Sequence, residues 1–149
     1  IPGPSAAVAA LSVSGLPTDR FFFQGFLPKQ IGAQKILLQK MAYLDTTLIV
    51  YLSPHRLLVT LKRILECLGN RQALLIREMT KIHETHYPGN LEEILKELQD
   101  QQPRGEYTLV VEGRKEKRKI RRIRTRSSKT PFPLPLPIGS SVSGYGMLF

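Results

Sequence analysis

Cysteine is almost missing from this chain of 149 residues. Cys67 stands alone, so no internal disulfide can form, and a reducing compartment is favoured. Tryptophan is absent. No apolar run reaches the roughly 20 residues that a membrane-spanning helix needs. There is no signal-peptide pattern, and Ile1-Pro2-Gly3-Pro4 reads as the interior of a longer protein. The glycine-rich devices for nucleotides, G-x-G-x-x-G and the Walker loop, are both lacking. So is G-x-S-x-G, and Cys67 has no electropositive setting in sequence, which argues against a covalent nucleophile.

Acidic residues are scarce at one end only. Residues 114–149 carry ten Lys/Arg against Glu116, a net +9, whereas residues 1–113 are within one charge of neutral. The overall +10 is therefore a property of a tail. Its charge run, Arg114 to Lys129, favours disorder. The alternating prolines at 131, 133, 135 and 137 favour an extended path with no PxxP spacing. Such a tail either holds phosphate backbones without selectivity or serves as a solubilising extension. It lacks interleaved aromatics for base stacking.

What is there is a folded part of about 110 residues, which buries roughly two thirds of its unfolded surface. Its organising stretch is Thr47 to Leu52, an unbroken apolar and β-branched run that reads as a central strand buried on both faces. Ser53 is the expected cap of the following helix, with Pro54 at its first position. Leu57, Leu61, Ile64, Leu65 and Leu68 form that helix's apolar face, ended by Gly69-Asn70. Cys67 on this helix reads as packing.

Before this run, Ser5 is the expected cap of a helix from Ala6 to Val13, whose start suits either a bound anion or ordinary capping. Phe21 to Leu27 reads as an aromatic strand in which Gly25 marks a bulge or a close approach of backbone, closed by Pro28. Lys29 to Tyr43 reads as a helix with Leu37, Met41 and Leu44 on its buried stripe. After it, Ala73 to Ile76 is a second buried strand. Pro88-Gly89-Asn90 reads as a turn, and Asn90 with Glu93 as a capping box opening the helix with Leu91, Ile94, Leu95 and Leu98. Tyr107 to Glu112 is the last strand. This alternation implies a layered α/β domain over residues 1–113, followed by the tail, 114–149.

Two polar clusters fall at strand carboxyl ends, where ligands bind in open α/β sheets. One is His55-Arg56. The other is Arg77, Glu78 and Lys81. They either meet in one cleft as candidate catalytic residues or form ordinary ion-pair networks. His83 and His86 are three apart, but no third ligand is near in sequence, so no metal site is expected.

Six ordered blocks then carry a family resemblance: Ile1-Pro2-Gly3-Pro4-Ser5-Ala6, residues 14–21 (Ser14 to Phe21), Gly25-Phe26-Leu27-Pro28, Ser53-Pro54-His55-Arg56-Leu57, residues 77–84 (Arg77 to Glu84) and residues 105–113 (Gly105 to Gly113). Together they resemble the second half of the ribosomal RNA small subunit methyltransferase I family, within the tetrapyrrole methylase superfamily. The resemblance implies a mixed sheet flanked by helices, like the C-terminal domain of those proteins. It implies an S-adenosyl-methionine-dependent 2′-O-methyltransferase acting on a cytidine of small-subunit ribosomal RNA. The chain on this view lacks the N-terminal half and has little activity alone.

By the same resemblance, Gly3, Pro4, Ser5 and Ala6, with Tyr51, Ile76, Tyr107 and Thr108, border the cofactor. His55, Arg56, Arg77, Glu78 and Lys81 are the candidates for positioning RNA or organising the cleft. Expected partners are ribosomal RNA or the small ribosomal subunit, and a second copy in the full-length enzyme, with no membrane. The compartment is a bacterial cytoplasm, or a plastid or mitochondrion if the gene is nuclear. Leu52 and Gln24 stand where the family usually has Glu, which weakens the case for catalysis. The competing reading is a non-catalytic RNA-binding or scaffolding protein that relies on its tail. A relative acting on a tetrapyrrole or diphthamide fits the 53–57 and 77–84 blocks poorly.

Overall fold

A computed structural model describes residues 3–115, and the expectations for the rest of the basic tail lie outside the described residues. Five strands and four helices follow in the order α1 (Ala6–Val13), β1 (Phe21–Phe26), α2 (Ile31–Met41), β2 (Thr47–Leu52), α3 (Leu57–Leu68), β3 (Gln72–Arg77), β4 (Thr85–Asn90), α4 (Leu91–Leu98) and β5 (Tyr107–Val111). The sheet order is β1-β2-β5-β3-β4. β1 and β2 are parallel, and every other neighbouring pair is antiparallel. This is the expected mixed sheet flanked by helices.

The side-chain period of two splits the core into two layers. Leu48, Val50 and Leu52 of β2 face α2, α3 and α4 together with Leu75, Leu109 and Val111. Ile49, Leu74, Ile76 and Val110 face the other way, under Ala7, Ala10 and Leu11 of α1. The run from Thr47 is apolar throughout because β2 is covered on both sides.

Several local expectations change in the structure. Ser53 is extended and makes no side-chain cap bond. Pro54–Arg56 forms a single 3-10 turn, and α3 begins only at Leu57. Ser5 also caps through its backbone alone, its carbonyl accepting from Ala9 N–H at 2.9 Å. In α2 the buried positions are Gln34, Leu38 and Met41. Leu37 and Leu44 are only half-buried. Pro88-Gly89-Asn90 is no turn but the end of β4, in register with Leu74, Ala73 and Gln72. β4 is an edge strand, where proline's missing N–H removes no ladder bond that the sheet needs. The capping box holds: Asn90 Oδ1 accepts from Glu93 N–H at 3.0 Å, and Asn90 N–H donates to Glu93 Oε2 at 2.9 Å.

Candidate functional site

Because β5 runs between β2 and β3 in the opposite sense, three chain segments converge at one end of the sheet. Leu52, Tyr107 and Arg77 stand in one row across it. The row before it holds Tyr51, Thr108 and Ile76. Two adjoining cavities open there.

The first, of about 410 Å³, lies between the loop after β1 and the turn after β2. Its polar lining includes Lys29, Gln34, Ser53, His55, Arg56 and Thr60, and none of its lining residues is Asp or Glu. The loop is held by its own carbonyls. Arg56 Nη1 donates to Lys29 O at 3.2 Å. Gln34 Nε2 donates to Pro28 O at 3.3 Å, and Arg63 Nη1 donates to Gln34 Oε1. Gln34 is only 5 % exposed because both ends of its amide are occupied, which explains a glutamine on the buried stripe of α2.

The second cavity, of about 350 Å³, shares Phe26, Tyr51, Leu52 and Ser53 with the first and is bounded further by Ala6, Glu106, Tyr107 and Thr108. Of the residues expected around a cofactor, it gathers Ala6, Tyr51, Tyr107 and Thr108. Gly3, Pro4 and Ser5 are exposed on the approach to α1 and border neither cavity. Ile76 is fully buried beneath α1. Burial also raises the Tyr107 hydroxyl above the usual tyrosine range, which keeps it neutral.

The two polar clusters are not brought into one cavity. His55 and Arg56 line the first. Arg77, Glu78 and Lys81 sit across β5, two inter-strand spacings or about 10 Å away, and border neither cavity. They clasp the loop that leads into β5. Arg77 Nε donates to Arg104 O at 2.9 Å. Glu78 N–H donates to Glu106 O at 2.8 Å, and Glu106 N–H returns a bond to Glu78 Oε1 at 2.7 Å. Lys81 Nζ bridges Glu78 Oε1 at 3.3 Å and Glu106 Oε2 at 3.1 Å. Glu78 and Thr80 take positive φ, 52° and 67°, a strained backbone held at Glu78 by these bonds and at Thr80 by its N–H donating to Glu84 Oε2 at 2.7 Å. Gly105, at φ 83°, lies so close that a Cβ there would meet the Glu78 carboxylate. The cluster thus presents Glu106, a wall residue of the second cavity.

The Glu106 N–H, and then Lys81, hold the Glu78 carboxyl below the usual carboxylate range. The Glu106 and Glu78 carboxylates raise the Lys81 ammonium. The depressed acid contributes to the clasp above its ordinary range, and this is lost as pH falls through the folded value. The raised base contributes below its own ordinary range and loses this as pH rises through the folded value. The clasp should therefore stay shut across neutral pH and open first on the acid side. In amide NMR spectra the Glu106 N–H resonance should titrate at a pH below the ordinary carboxylate range, and Glu78→Gln should flatten that titration. A midpoint at the ordinary carboxylate pH would show that the clasp is not formed.

Phe26, Lys29, Gln34 and Glu106 were not singled out by sequence reasoning. Glu106 is marked in the sequence only by its family-like block, and Phe26 by its block and by its place in the aromatic strand. Phe26 is reached through the bulge. The β1–β2 register slips between Phe23 and Gly25, with Gly25 at φ 70°. Residues three apart on a regular strand face opposite ways. The extra residue turns Phe26 to the same side as Phe23, so both rings meet Tyr51, at centroid distances of 5.5 Å and 5.1 Å. His86 instead pairs with Glu84 at 2.6 Å, and among the described residues no group of three or more metal-ligating side chains forms. No described helix is long and apolar enough to cross a membrane. Leu52, where the resemblance implied a Glu, is buried in the larger core layer and lines both cavities.

Comparison with known proteins adds three findings. The family model described as tetrapyrrole (corrin/porphyrin) methylases matches residues 1–95. Proteins named ribosomal RNA small subunit methyltransferase I are similar along the folded part. The one from Halalkalibacterium halodurans is 46% identical over 117 residues, covering 78% of this chain and 40% of its own length. The Synechocystis protein is 43% identical over 114 residues, covering 76% and 41%. The Thermotoga maritima protein is 39% identical over 114 residues, covering 76% and 51%. The chain thus spans about half or less of these relatives. Among solved structures, the methyltransferase CobJ superposes with a TM-score of 0.55 at 21% identity, over 77% of this chain and 52% of that one, a likeness of fold.

Proposed function

The chain belongs to the tetrapyrrole (corrin/porphyrin) methylase family, and on that premise we propose that it forms one half of an S-adenosyl-methionine-dependent 2′-O-methyltransferase acting on a cytidine of small-subunit ribosomal RNA. The observation that carries the reading is the gathering of Ala6, Tyr51, Tyr107 and Thr108 around one cavity, in a chain whose relatives are named ribosomal RNA small subunit methyltransferase I. The cavity suits the cofactor. Its walls are mostly apolar or aromatic, as a purine needs. Ala6 opens α1, and no side chain caps the first-turn N–H groups, so they remain free for a carboxylate.

When bound, the cofactor would supply an electrophilic methyl on a sulfonium. The chain's own part is to align a ribose hydroxyl in line with that methyl and to help its proton leave. Tyr51 and Tyr107 shape the wall, and Glu106 is the one carboxylate among the residues lining this cavity, with Lys81 paired to it. His55 and Arg56 border the neighbouring cavity, which supports giving them the RNA rather than the methyl donor.

One half of a site cannot supply the alignment. Titration calorimetry of the 149-residue chain with S-adenosyl-methionine should show binding weaker than micromolar. Methyl transfer to small-subunit RNA should appear only when the complementary half of a relative is added, and at a ribose hydroxyl. Micromolar binding by the chain alone would overturn the half-site claim, and transfer to a base or to a tetrapyrrole would overturn the substrate. The buried Leu52 favours a second reading, a non-catalytic RNA-binding protein. On that reading, no methyl is transferred with either partner.

A further inference from the structure

We infer that the cavity between the β1 and β2 loops is a clamp for one unstacked nucleotide of single-stranded RNA, with its base on Phe26 and its phosphate between Lys29, His55 and Arg56. The inference rests on the RNA reading above for the class of nucleic acid and goes beyond it in naming the subsite and its residues.

Phe26 is 65% exposed, unusual for a phenylalanine inside a strand. Phe21, Phe22 and Phe23 of the same edge strand are also open, at 46%, 37% and 47%, so the bulge sets the direction of Phe26 rather than its exposure. Without the slip at Gly25, Phe26 would point away from Tyr51, with which it now lines the cavity. Tyr51 leans on both Phe23 and Phe26, and of the two phenylalanine rings Phe26 is the more open and the one that lines the cavity. Aromatic wedges of this kind accept bases regardless of sequence, because every base has a π-face.

The opposite rim carries two cations, Lys29 and Arg56, beside the His55 imidazole. Among the described residues, Lys29, His55 and Arg56 form no ion pair with a carboxylate. Arg56 spends one N–H on Lys29 O and keeps the rest of its fork. That bond, with Gln34 on Pro28 O, fixes the loop before any ligand arrives, so little ordering cost remains. A ring on one side and unpaired cations on the other, with no acid in the lining, match a nucleotide's apolar base and anionic phosphate. A volume of about 410 Å³ is within the range of small-ligand sites.

The test uses the full chain and a short single-stranded RNA carrying one 2-aminopurine, in the absence of any methyl donor. Binding should quench the fluorescent base. Phe26→Ala should abolish the quench and weaken binding roughly tenfold, the size of one lost stacking contact. Phe26→Leu, which keeps apolar bulk but no ring, should behave like Phe26→Ala. Lys29→Ala should preserve the quench and lower the salt slope by about one. With an abasic residue in place of the 2-aminopurine, Phe26→Ala should no longer matter.

Equal RNA binding by the parent and both Phe26 variants would overturn the clamp and assign the affinity to the basic tail. Unchanged RNA binding with altered self-association in sedimentation would also overturn it, making the ring a protein contact. An unquenched base in the parent complex does the same. A parent that quenches the base but transfers no methyl even with the complementary half of a relative added would leave the clamp standing and remove the enzyme reading alone.

Discussion

Gly113→Ala should destabilise the fold by about 3 kcal/mol, the upper end of overpacking costs. Gly113 lies two residues beyond the end of β5, where the chain is stitched to its neighbours on both sides. Glu112 N–H donates to Gln72 O at 2.8 Å, and Arg114 N–H donates to Leu44 O at 2.7 Å. Between these bonds a Cβ at 113 would stand 2.5 Å from the Asp45 carbonyl carbon and 2.6 Å from the carbonyl oxygens of Asp45 and Thr46. These atoms are backbone and belong to the segment that enters β2, so no rotamer change can relieve the contact. Either β5 withdraws or the start of β2 shifts. Chemical denaturation should show a lower midpoint with an unchanged slope. Gly32→Ala is the control, since nothing lies within 4 Å of its Cβ position on α2 and alanine favours a helix. It should be neutral or slightly stabilising. A Gly113→Ala protein as stable as its parent would mean that the Asp45–Thr46 backbone yields freely.

Elements whose cues are local were legible in the sequence. The unbroken run of β2, the stripe of α3 ended by Gly69, the Gly25 bulge and the Asn90–Glu93 capping box each depend on residues within a few positions of one another. The six blocks also led to the family. Features that depend on strand order were not legible. Pro88 reads as a turn until β4 is known to be an edge strand. Gln34 is an improbable core residue until Pro28 O and Arg63 are placed against it. His55-Arg56 and Arg77-Glu78-Lys81 both lie at strand carboxyl ends, as the sequence indicated. The insertion of β5 between their strands, which no short-range pattern reports, sets them apart. The same insertion brings Glu106 to the cavity wall, so a residue overlooked in sequence stands where the Arg77 cluster was expected to reach.

Arg71→Ala should cost a comparable 3 kcal/mol through bonds rather than packing, because one guanidinium serves three carbonyls. Arg71 Nε donates to Leu68 O at 2.9 Å, Nη2 to Ala42 O at 2.8 Å and Nη1 to Glu112 O at 3.4 Å. Leu68 ends α3 and Ala42 caps the end of α2, so two helix C-termini with partial negative charge share one cation. Burial, and then the charge of Arg114, lower the Arg71 pKa, and Glu112 opposes them. The desolvation is offset by the carbonyls only while the fork is complete. Charged hydrogen bonds are worth about 1.5–3 kcal/mol each, and the cost of losing these three is reduced because water reaches part of the site. Arg71→Lys should recover only a fraction, since a single ammonium cannot span three acceptors on separate elements. The joint lies at the amino end of β3, whereas the cavities open at the carboxyl end of the parallel-running β2, about 20 Å away along six-residue strands. Arg71→Ala should therefore lower the melting temperature and leave the 2-aminopurine quench unchanged at temperatures where the chain is folded. Phe26→Ala should do the reverse. A loss of quench in the folded Arg71→Ala protein would show that the far end of the sheet governs the nucleotide cavity, and that fold and site are not separable in this domain.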